Sequence, residues 1–396
     1  MEVLVSLEHR FDRTPDGTVW TQAAFARSFY SQYLEVFDGV KVVARVREVD
    51  SAPANARRAD GDGVSFHAVP YYVGPKEYLV EYPRITRAAR SSLVGTDAVI
   101  LRVGSQIASC MEPVLRRSGR PYALEVMCDP YEIFAPGCNE HPLRPLFRAF
   151  FRLRVKRQCR FAPAVSYVTE RSLQQAYPPS GNAISTSYSD VVLTTESYVQ
   201  CPRSIYNPHR PQTIVTVGSL EQPYKGVDLL IDAVRENVHA GVDLNLMVIG
   251  DGKYRRELEE RAQGIRERVL FKGWVPAGAD VRRHLDEADL FVLASRTEGL
   301  PRAVVEAMAR ALPCIGSTVG GIPELLPPGD LVPAGDAMAL ASKIREVLRD
   351  PSRMANMSAQ NLAKAQEYRD EVLRRRRNCF YQKLRQQTES WRQQSQ

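Results

Sequence analysis

Two glutamates and a lysine in the second half of the chain have the types and spacing to hold a phosphorylated, hydroxyl-rich ligand. Glu298 and Glu306 stand eight positions apart in "EGLPRAVVEAMA", residues 298–309. A Gly299-Leu300-Pro301 turn follows the first acid. The second lies one and a half turns inside a small, apolar helix, for which Pro301 suits the first turn. Ionised carboxylates only accept hydrogen bonds, so they suit hydroxyl pairs; the plainer alternative is two surface glutamates. Lys225-Gly226 opens another helix, and a helix N-terminus with a lysine beside it attracts a diphosphate. Gly218-Ser219-Leu220 precede that lysine, Gly250-Asp251-Gly252 follow "LNLMVIG", and Gly320-Gly321 open "GGIPELL". Small residues at these places let backbone approach a ligand, although each alone is also an ordinary tight turn. Four such motifs at four consecutive strand ends are harder to explain as independent turns.

The elements that position them follow from the alternation of short apolar runs with helical patterns, the signature of parallel sheets covered on both faces. In the first half, "EVLVSL", "GVKVVARV", "DAVILRV", "YALEVM" and "AVSYVT" read as strands and residues 18–35 as a helix. The periodicity breaks between residues 178 and 212, in a Pro-, Ser- and Asn-rich stretch that marks a domain boundary. It then restarts with strands at "TIVTVGSL", "LNLMVIG", "VLFKGWV", "LFVLAS" and "PCIGST", separated by helical segments, the last of them "PRAVVEAMARA". The expected fold is α/β: two doubly wound Rossmann-like domains, residues 1–207 and 208–370, facing a cleft, followed by a C-terminal helical segment, residues 371–396. Ligands of such sheets bind at the carboxyl ends of the strands, which places the candidate site in that cleft.

Composition limits the remaining possibilities. The 396 residues are too many for one ordinary core. Hydrophobic content of 44% and charged content of 25% match an average globular protein. No run reaches the length of a spanning helix and the start, "MEVLVSLEHRF", lacks a signal peptide's features, so a cytoplasmic protein is expected. Seven scattered cysteines suit reduced thiols and lack metal-ligand spacing, so no metal site is expected. The net charge of +7 is most informative where it clusters. Residues 144–160, "RPLFRAFFRLRVKRQCR", interleave Arg and Lys with Phe147, Phe150 and Phe151. Such a helix either lies on an anionic membrane surface or buries its Phe side in the core. No nucleic-acid motif accompanies the charge, and nucleic acid is not an expected partner. The run Arg374–Arg377 reads as a solvated helical face.

The order and spacing of "VGSLEQPYKGVDLLIDA", "VIGDGKYRRELEE", "VLFKGWVP", "ADLFVLASRTEGLPRAVVEAMARALPCIGSTVGGIPELL" and "LVPAGD" resemble the retaining GT-B enzymes of glycosyltransferase family 4. The first half resembles them in architecture and in "EVMCDPYEIFAPG", which looks like an inter-domain loop of exopolysaccharide-type members. The resemblance implies a nucleotide-diphosphate sugar donor, a saccharide or lipid-linked saccharide acceptor, and no required metal or other cofactor. It implies that Glu306 binds the ribose hydroxyls and that Glu298 lies by the donor sugar and leaving diphosphate. Lys225 would neutralise charge on the β-phosphate. Gly273 to Val275 would line the base pocket through backbone, and the helix at Gly320 to Ile322 or the one that begins at Pro301 would supply backbone N–H groups to the phosphate oxygens. Two positions depart from the pattern. Ser219 stands where many members carry Arg, which leaves Arg296 or Arg302 to compensate or turnover to slow. Asp129 stands where many have a His that touches the donor sugar; its alternative is a loop-start cap. The resemblance also implies a C-terminal helix crossing back to the first domain, and a peripheral place at the inner face of the cell membrane for an enzyme of surface polysaccharide synthesis. Asp60-Gly61-Asp62 is like the metal-binding Asp-x-Asp of another transferase class, but no strand leads into it. A non-catalytic sugar-nucleotide binding protein, kept open by Ser219, and a nucleotide-sugar 2-epimerase are the rival readings; the linked "EGLPRAVVEAMA" and "GGIPELL" argue against the latter.

Overall fold

The computed structural model describes residues 1–134, 141–203 and 210–395. Its first sheet contains β1 (Glu2–Arg13), β2 (Val19–Thr21), β3 (Gly39–Glu48), β4 (Arg57–Arg58), β5 (Val64–Val69), β6 (Ala98–Arg102), β7 (Ala123–Val126), β8 (Ala164–Tyr167) and β9 (Ile184–Ser187). The helices of this half are α1 (Ser31–Leu34), α2 (Gly74–Ser91), α3 (Gln106–Arg117), α4 (Pro130–Ile133), α5 (Arg144–Phe161) and α6 (Ser172–Ala176). The second sheet contains β10 (Gln212–Val217), β11 (Leu244–Ile249), β12 (Val269–Gly273), β13 (Leu290–Leu293), β14 (Cys314–Ser317) and β15 (Leu331–Val332). With it go α7 (Val227–His239), α8 (Arg255–Arg261), α9 (Ala279–Glu287), α10 (Arg302–Ala309), α11 (Ile322–Leu325), α12 (Ala337–Leu348), α13 (Pro351–Ala365) and α14 (Asp370–Ser395).

The second sheet is parallel throughout, in the order β12-β11-β10-β13-β14-β15. Its central strands are apolar runs buried on both faces, as helices covering both sides require; all four residues of β13 are buried. The chain leaves β10 toward β11 on one side and leaves β13 toward β14 on the other, so the crevice of this sheet opens between the carboxyl ends of β10 and β13. In the first sheet β5, β3, β1, β6, β7, β8 and β9 run parallel, and β2 and β4 add antiparallel pairings to the far end of β1.

Residues 18–35 do not form the expected helix. Val19–Thr21 pairs antiparallel with β1, a 3-10 turn covers Arg27–Tyr30, and only Ser31–Leu34 is α-helical. Phe25, Phe29 and Tyr33 have helical spacing and touch edge to face, with Phe25 and Phe29 centroids 4.9 Å apart, but Phe25 is also held 4.9 Å from the ring of His9 on β1 and Tyr33 stacks on Tyr381. Tertiary ring packing overrides the local period here. The strands β5 and β9 were not expected. The expected boundary at 207/208 lies outside the described residues, as do Cys138 and the end of the quoted "EVMCDPYEIFAPG" stretch.

The two halves touch through backbone and carboxylates. Glu324 of α11 accepts the backbone N–H groups of Glu170, Arg171 and Ser172, at 2.6, 3.0 and 2.6 Å, at the start of α6. A Cβ on Gly299 would stand 2.5 Å from the Met127 carbonyl oxygen, so only glycine permits this approach between halves. The helix α14 returns to the first half, where Tyr381 stacks on Tyr33 with centroids 5.1 Å apart. Its hydroxyl donates to Glu125 at 2.7 Å. Glu125 is 1% exposed and also accepts from Tyr33, Tyr188 and Arg102 at 3.1, 3.0 and 3.2 Å. Arg102 in turn pairs with Asp190 at 2.8 Å. A buried carboxylate is tolerated only when its lone pairs are so occupied. Replacing Glu125 with Ala leaves Arg102 with Asp190 alone, takes the shared acceptor from three hydroxyls and should cost about 3 to 5 kcal/mol, whereas Tyr381→Phe, which leaves Glu125 other donors, should cost about 1 kcal/mol. Thermal unfolding of both variants checks this, and equal losses would contradict the network.

Candidate active site at the crevice of the second sheet

Lys225 follows β10 and Glu298 follows β13, the two strands that flank the crevice. Lys225 ends a three-residue 3-10 turn, Pro223–Lys225. The chain then enters α7 through Gly226, whose φ of 66° and 2.0 Å approach of an added Cβ to the Ala294 carbonyl oxygen exclude any side chain. The Lys225 Nζ donates to Glu298 Oε1 at 2.7 Å. Ser295 Oγ donates to the same oxygen at 2.7 Å. Both charged side chains are largely enclosed, at 15% and 8% exposure. A lysine and an acid held at the rim of a parallel-sheet crevice can exchange partners with an entering anion, because a diphosphate competes for the same ammonium.

Glu306 lies on α10, whose Val304, Val305, Ala307 and Met308 are buried. Its half-buried carboxyl lines a cavity of about 180 Å³ with Asp190, Leu193, Arg282 and Arg302 among the walls. Burial raises its pKa above the ordinary carboxylate range, while Arg302 and Arg282 pull the other way. Neither Lys225 nor Glu298 lines this cavity. The structure therefore joins Lys225 to Glu298, while Glu306 lines the cavity with Arg282 and Arg302.

Several expected residues have local work. The Ser219 Oγ accepts from the Glu221 N–H at 3.2 Å. Asp251 accepts from the Gly252 N–H at 2.8 Å and pairs with Arg255 at 3.0 Å. Gly250 packs on the Gly218 carbonyl and donates to that of Gly273 at 2.9 Å, so the glycines here serve loop-to-loop packing. Val275 packs against the core, and Leu300 and Pro301 are buried. The N–H groups of Gly321 and Ile322 donate to the carbonyls of Gly299 and Val319, at 2.7 and 3.1 Å. The short α11 ends in the Glu324 contact. Asp129 caps α4 through the Tyr131 N–H at 2.9 Å and also accepts from the Tyr177 hydroxyl. Arg296 does not lie open as a substitute cation; its guanidinium is bidentate to Asp228, at 2.8 and 2.6 Å. Asp60 pairs with Arg58 at 2.9 Å. Ser295, Asp228, Arg282 and Glu324 were not singled out from the sequence. Ser295 alone had a signal, a hydroxyl at a strand end three residues before an acid.

The basic segment forms α5 and does not bury a Phe side. Only Val155, Gln158 and Cys159 are buried. Leu146, Phe150 and Leu153 are 64%, 55% and 68% exposed, an i, i+4, i+7 row with cations on its flanks, and Phe161 is 49% exposed. Phe151 stacks on Phe134 with centroids 5.2 Å apart, so part of the aromatic set meets a loop. No helix among the described residues is long and apolar enough to cross a membrane.

Residues 211–350 match the family described as Glycosyl transferases group 1. Over 359 residues the chain is 24% identical to protein CapJ of Staphylococcus aureus, covering 88% of this chain and 89% of CapJ. It is 36% identical over 155 residues to the putative colanic acid biosynthesis glycosyltransferase WcaL of Escherichia coli, a match that covers 36% of this chain and only 37% of that protein. Anabaena HepE in complex with UDP-glucose superposes with a TM-score of 0.65 at 17% identity, over 98% of this chain and 100% of that one. Strand order, crevice and returning helix agree with this likeness, and the chain is a glycosyltransferase of GT-B fold whose C-terminal half carries a glycosyl transferases group 1 domain.

Proposed function

We propose that the chain transfers a sugar, with retention at the anomeric carbon, from a nucleotide-diphosphate sugar to a saccharide acceptor in surface or exopolysaccharide assembly, as a member of glycosyltransferase family 4. The observation that carries this reading is the Lys225–Glu298 pair, set between the ends of β10 and β13. A diphosphate entering there displaces the carboxylate from the ammonium. The freed carboxylate then faces the sugar hydroxyls, and Lys225 stabilises the charge that grows on the leaving phosphate. Glu306 takes the ribose. Lys225 supplies the cationic stabilisation in this scheme, which requires no metal. The complex of HepE with UDP-glucose supports a nucleotide-sugar donor, and the name of WcaL supports polysaccharide synthesis.

The acceptor is lipid-linked in this reading, and α5 holds the enzyme peripherally on the inner face of the cell membrane. Its exposed Leu146, Phe150 and Leu153 would enter the interface while Arg152, Lys156 and Arg157 meet anionic headgroups. Flotation with anionic liposomes should carry the wild-type protein upward, and Phe150→Asp with Leu153→Asp should leave it at the bottom. Wild-type protein that stays down with every lipid composition removes the motive for a lipid-linked acceptor.

Release of nucleoside diphosphate from UDP-, GDP- and ADP-sugars, with membrane extract as acceptor, tests the chemistry. One donor should be consumed in an extract-dependent way, and Glu298→Ala should lower the rate by roughly 100-fold. Tight donor binding without release from any acceptor source would favour a binding protein, with Ser219 as the residue to explain. Glu306→Gln offers a second check. A carboxyl whose folded pKa lies above its unfolded value loses stability as pH rises through that interval, because the folded state holds the proton longer. Removing the charge should therefore raise the Tm at pH 8, leave it nearly unchanged below the ordinary carboxylate range, and weaken nucleotide binding. A lowered Tm at pH 8 would contradict the account of its burial.

A further inference from the structure

On the far side of the Lys225 turn lie groups that the donor site does not itself use. The turn Pro223–Lys225 is closed by a bond from the Gly226 N–H to the Pro223 carbonyl at 3.1 Å. A three-residue turn of this kind has poor internal hydrogen-bond geometry and needs outside support. Arg296 supplies such support twice. The Arg296 backbone N–H donates to the Tyr224 carbonyl at 2.7 Å, and its Nη1 donates to the Pro223 carbonyl at 2.9 Å. Nη1 and Nη2 then form the bidentate pair with Asp228, in the first turn of α7. Both side chains are mostly enclosed, at 18% and 25% exposure.

We infer that Arg296 and Asp228 are positioning residues for Lys225: they staple the turn that carries the lysine to the strand end that carries Ser295 and Glu298. The inference rests on the donor reading of Lys225. Four residues of one segment, Ser295 to Glu298, then do two jobs. Ser295 fixes the carboxylate and Arg296 fixes the backbone of the ammonium's own turn, so both partners of the Lys225–Glu298 pair are referred to the end of β13. Burial alone would raise the Asp228 pKa, yet it lies below the usual carboxylate value, because Arg296 donates to it and its charge is opposite. The pair therefore persists through neutral pH. A lysine at 296 keeps the charge but cannot reproduce the planar fork that spans Asp228 and the Pro223 carbonyl together.

The contact of Lys225 with the outer phosphate can be read without turnover, as the ratio of affinities for a nucleoside diphosphate and its monophosphate. UDP with UMP, GDP with GMP and ADP with AMP are titrated by calorimetry into wild type, Lys225→Ala, Arg296→Gln, Asp228→Asn and the Lys225→Ala/Arg296→Gln double variant. For the tightest pair, Lys225→Ala should collapse the ratio, and Arg296→Gln and Asp228→Asn should each lower it by about tenfold. Arg296→Lys should not restore it. On the Lys225→Ala background Arg296→Gln should change the ratio less than about twofold, since its effect passes through the lysine. An equal fold-loss on that background would make Arg296 a direct phosphate ligand and overturn the inference. A lowered Tm with an unchanged ratio would leave only a structural role and overturn it too. If Lys225→Ala leaves the ratio intact, or no diphosphate binds, the donor reading of this lysine falls first and the staple falls with it.

Discussion

Two parallel strands side by side whose chains leave in opposite directions cannot be covered by the same loops, and the pairing of β10 with β13 imposes that constraint on this protein. Ile214 sits opposite Leu290 and Val215 opposite Phe291. Everything that gathers at the crevice depends on this register. The chain leaves β10 through the turn that ends in Lys225, and leaves β13 through Ser295, Arg296 and Glu298. A salt bridge between residues 73 positions apart in sequence thus needs no long excursion of either chain. Gly226 lets the turn lie against the Ala294 carbonyl, and Arg296 ties the same turn down from the other side. The charged pair is held by backbone fitted to backbone, which restricts where it can move.

The two halves meet around that site through few but directed contacts. Glu324 spends its carboxylate on three N–H groups at the start of α6, a place where unpaired donors attract negative charge. Gly299, next to Glu298, lies on the Met127 carbonyl. At the opposite end, α14 leaves the second half and brings Tyr381 to Glu125, while Tyr188 and Asp190, in the stretch after β9, join the same network. Asp190 also lines the cavity of Glu306. The stretch after β9, the returning helix and one wall of the cavity are therefore tied to a single set of buried and half-buried charges.

Much of this was legible because parallel sheets write themselves as apolar runs. The five strand runs quoted for the second half fall on β10 to β14, and "PRAVVEAMARA" falls on α10. The failures were of two kinds. Residues 18–35 read as a helix, but Val19–Thr21 pairs with β1, Phe25 packs on His9 of β1 and Tyr33 stacks on Tyr381 of α14, contacts that no local pattern reveals. The other kind concerned partners. Glu298 and Lys225 could be named from their strand ends, yet that they touch each other, that Glu306 lines a cavity with Arg282, and that Arg296 belongs to Asp228 are facts of three-dimensional pairing over long separations. The glycines at 250 and 252 lie hard against the backbone of Gly218 and of Leu220 and Glu221, neighbours that the sequence does not name. The segment at 144–160 could be read in two ways from sequence, and the structure decides against a buried aromatic side by leaving Leu146, Phe150 and Leu153 exposed.

The most direct measurement is a crystal structure of the protein soaked with UDP and, separately, GDP. The expected result is a diphosphate within hydrogen-bond distance of Lys225 Nζ, the lysine withdrawn from Glu298, and a ribose against Glu306. A nucleotide bound in the crevice of the first sheet, or a diphosphate that leaves the Lys225–Glu298 bridge intact, would contradict the assignment of the donor site.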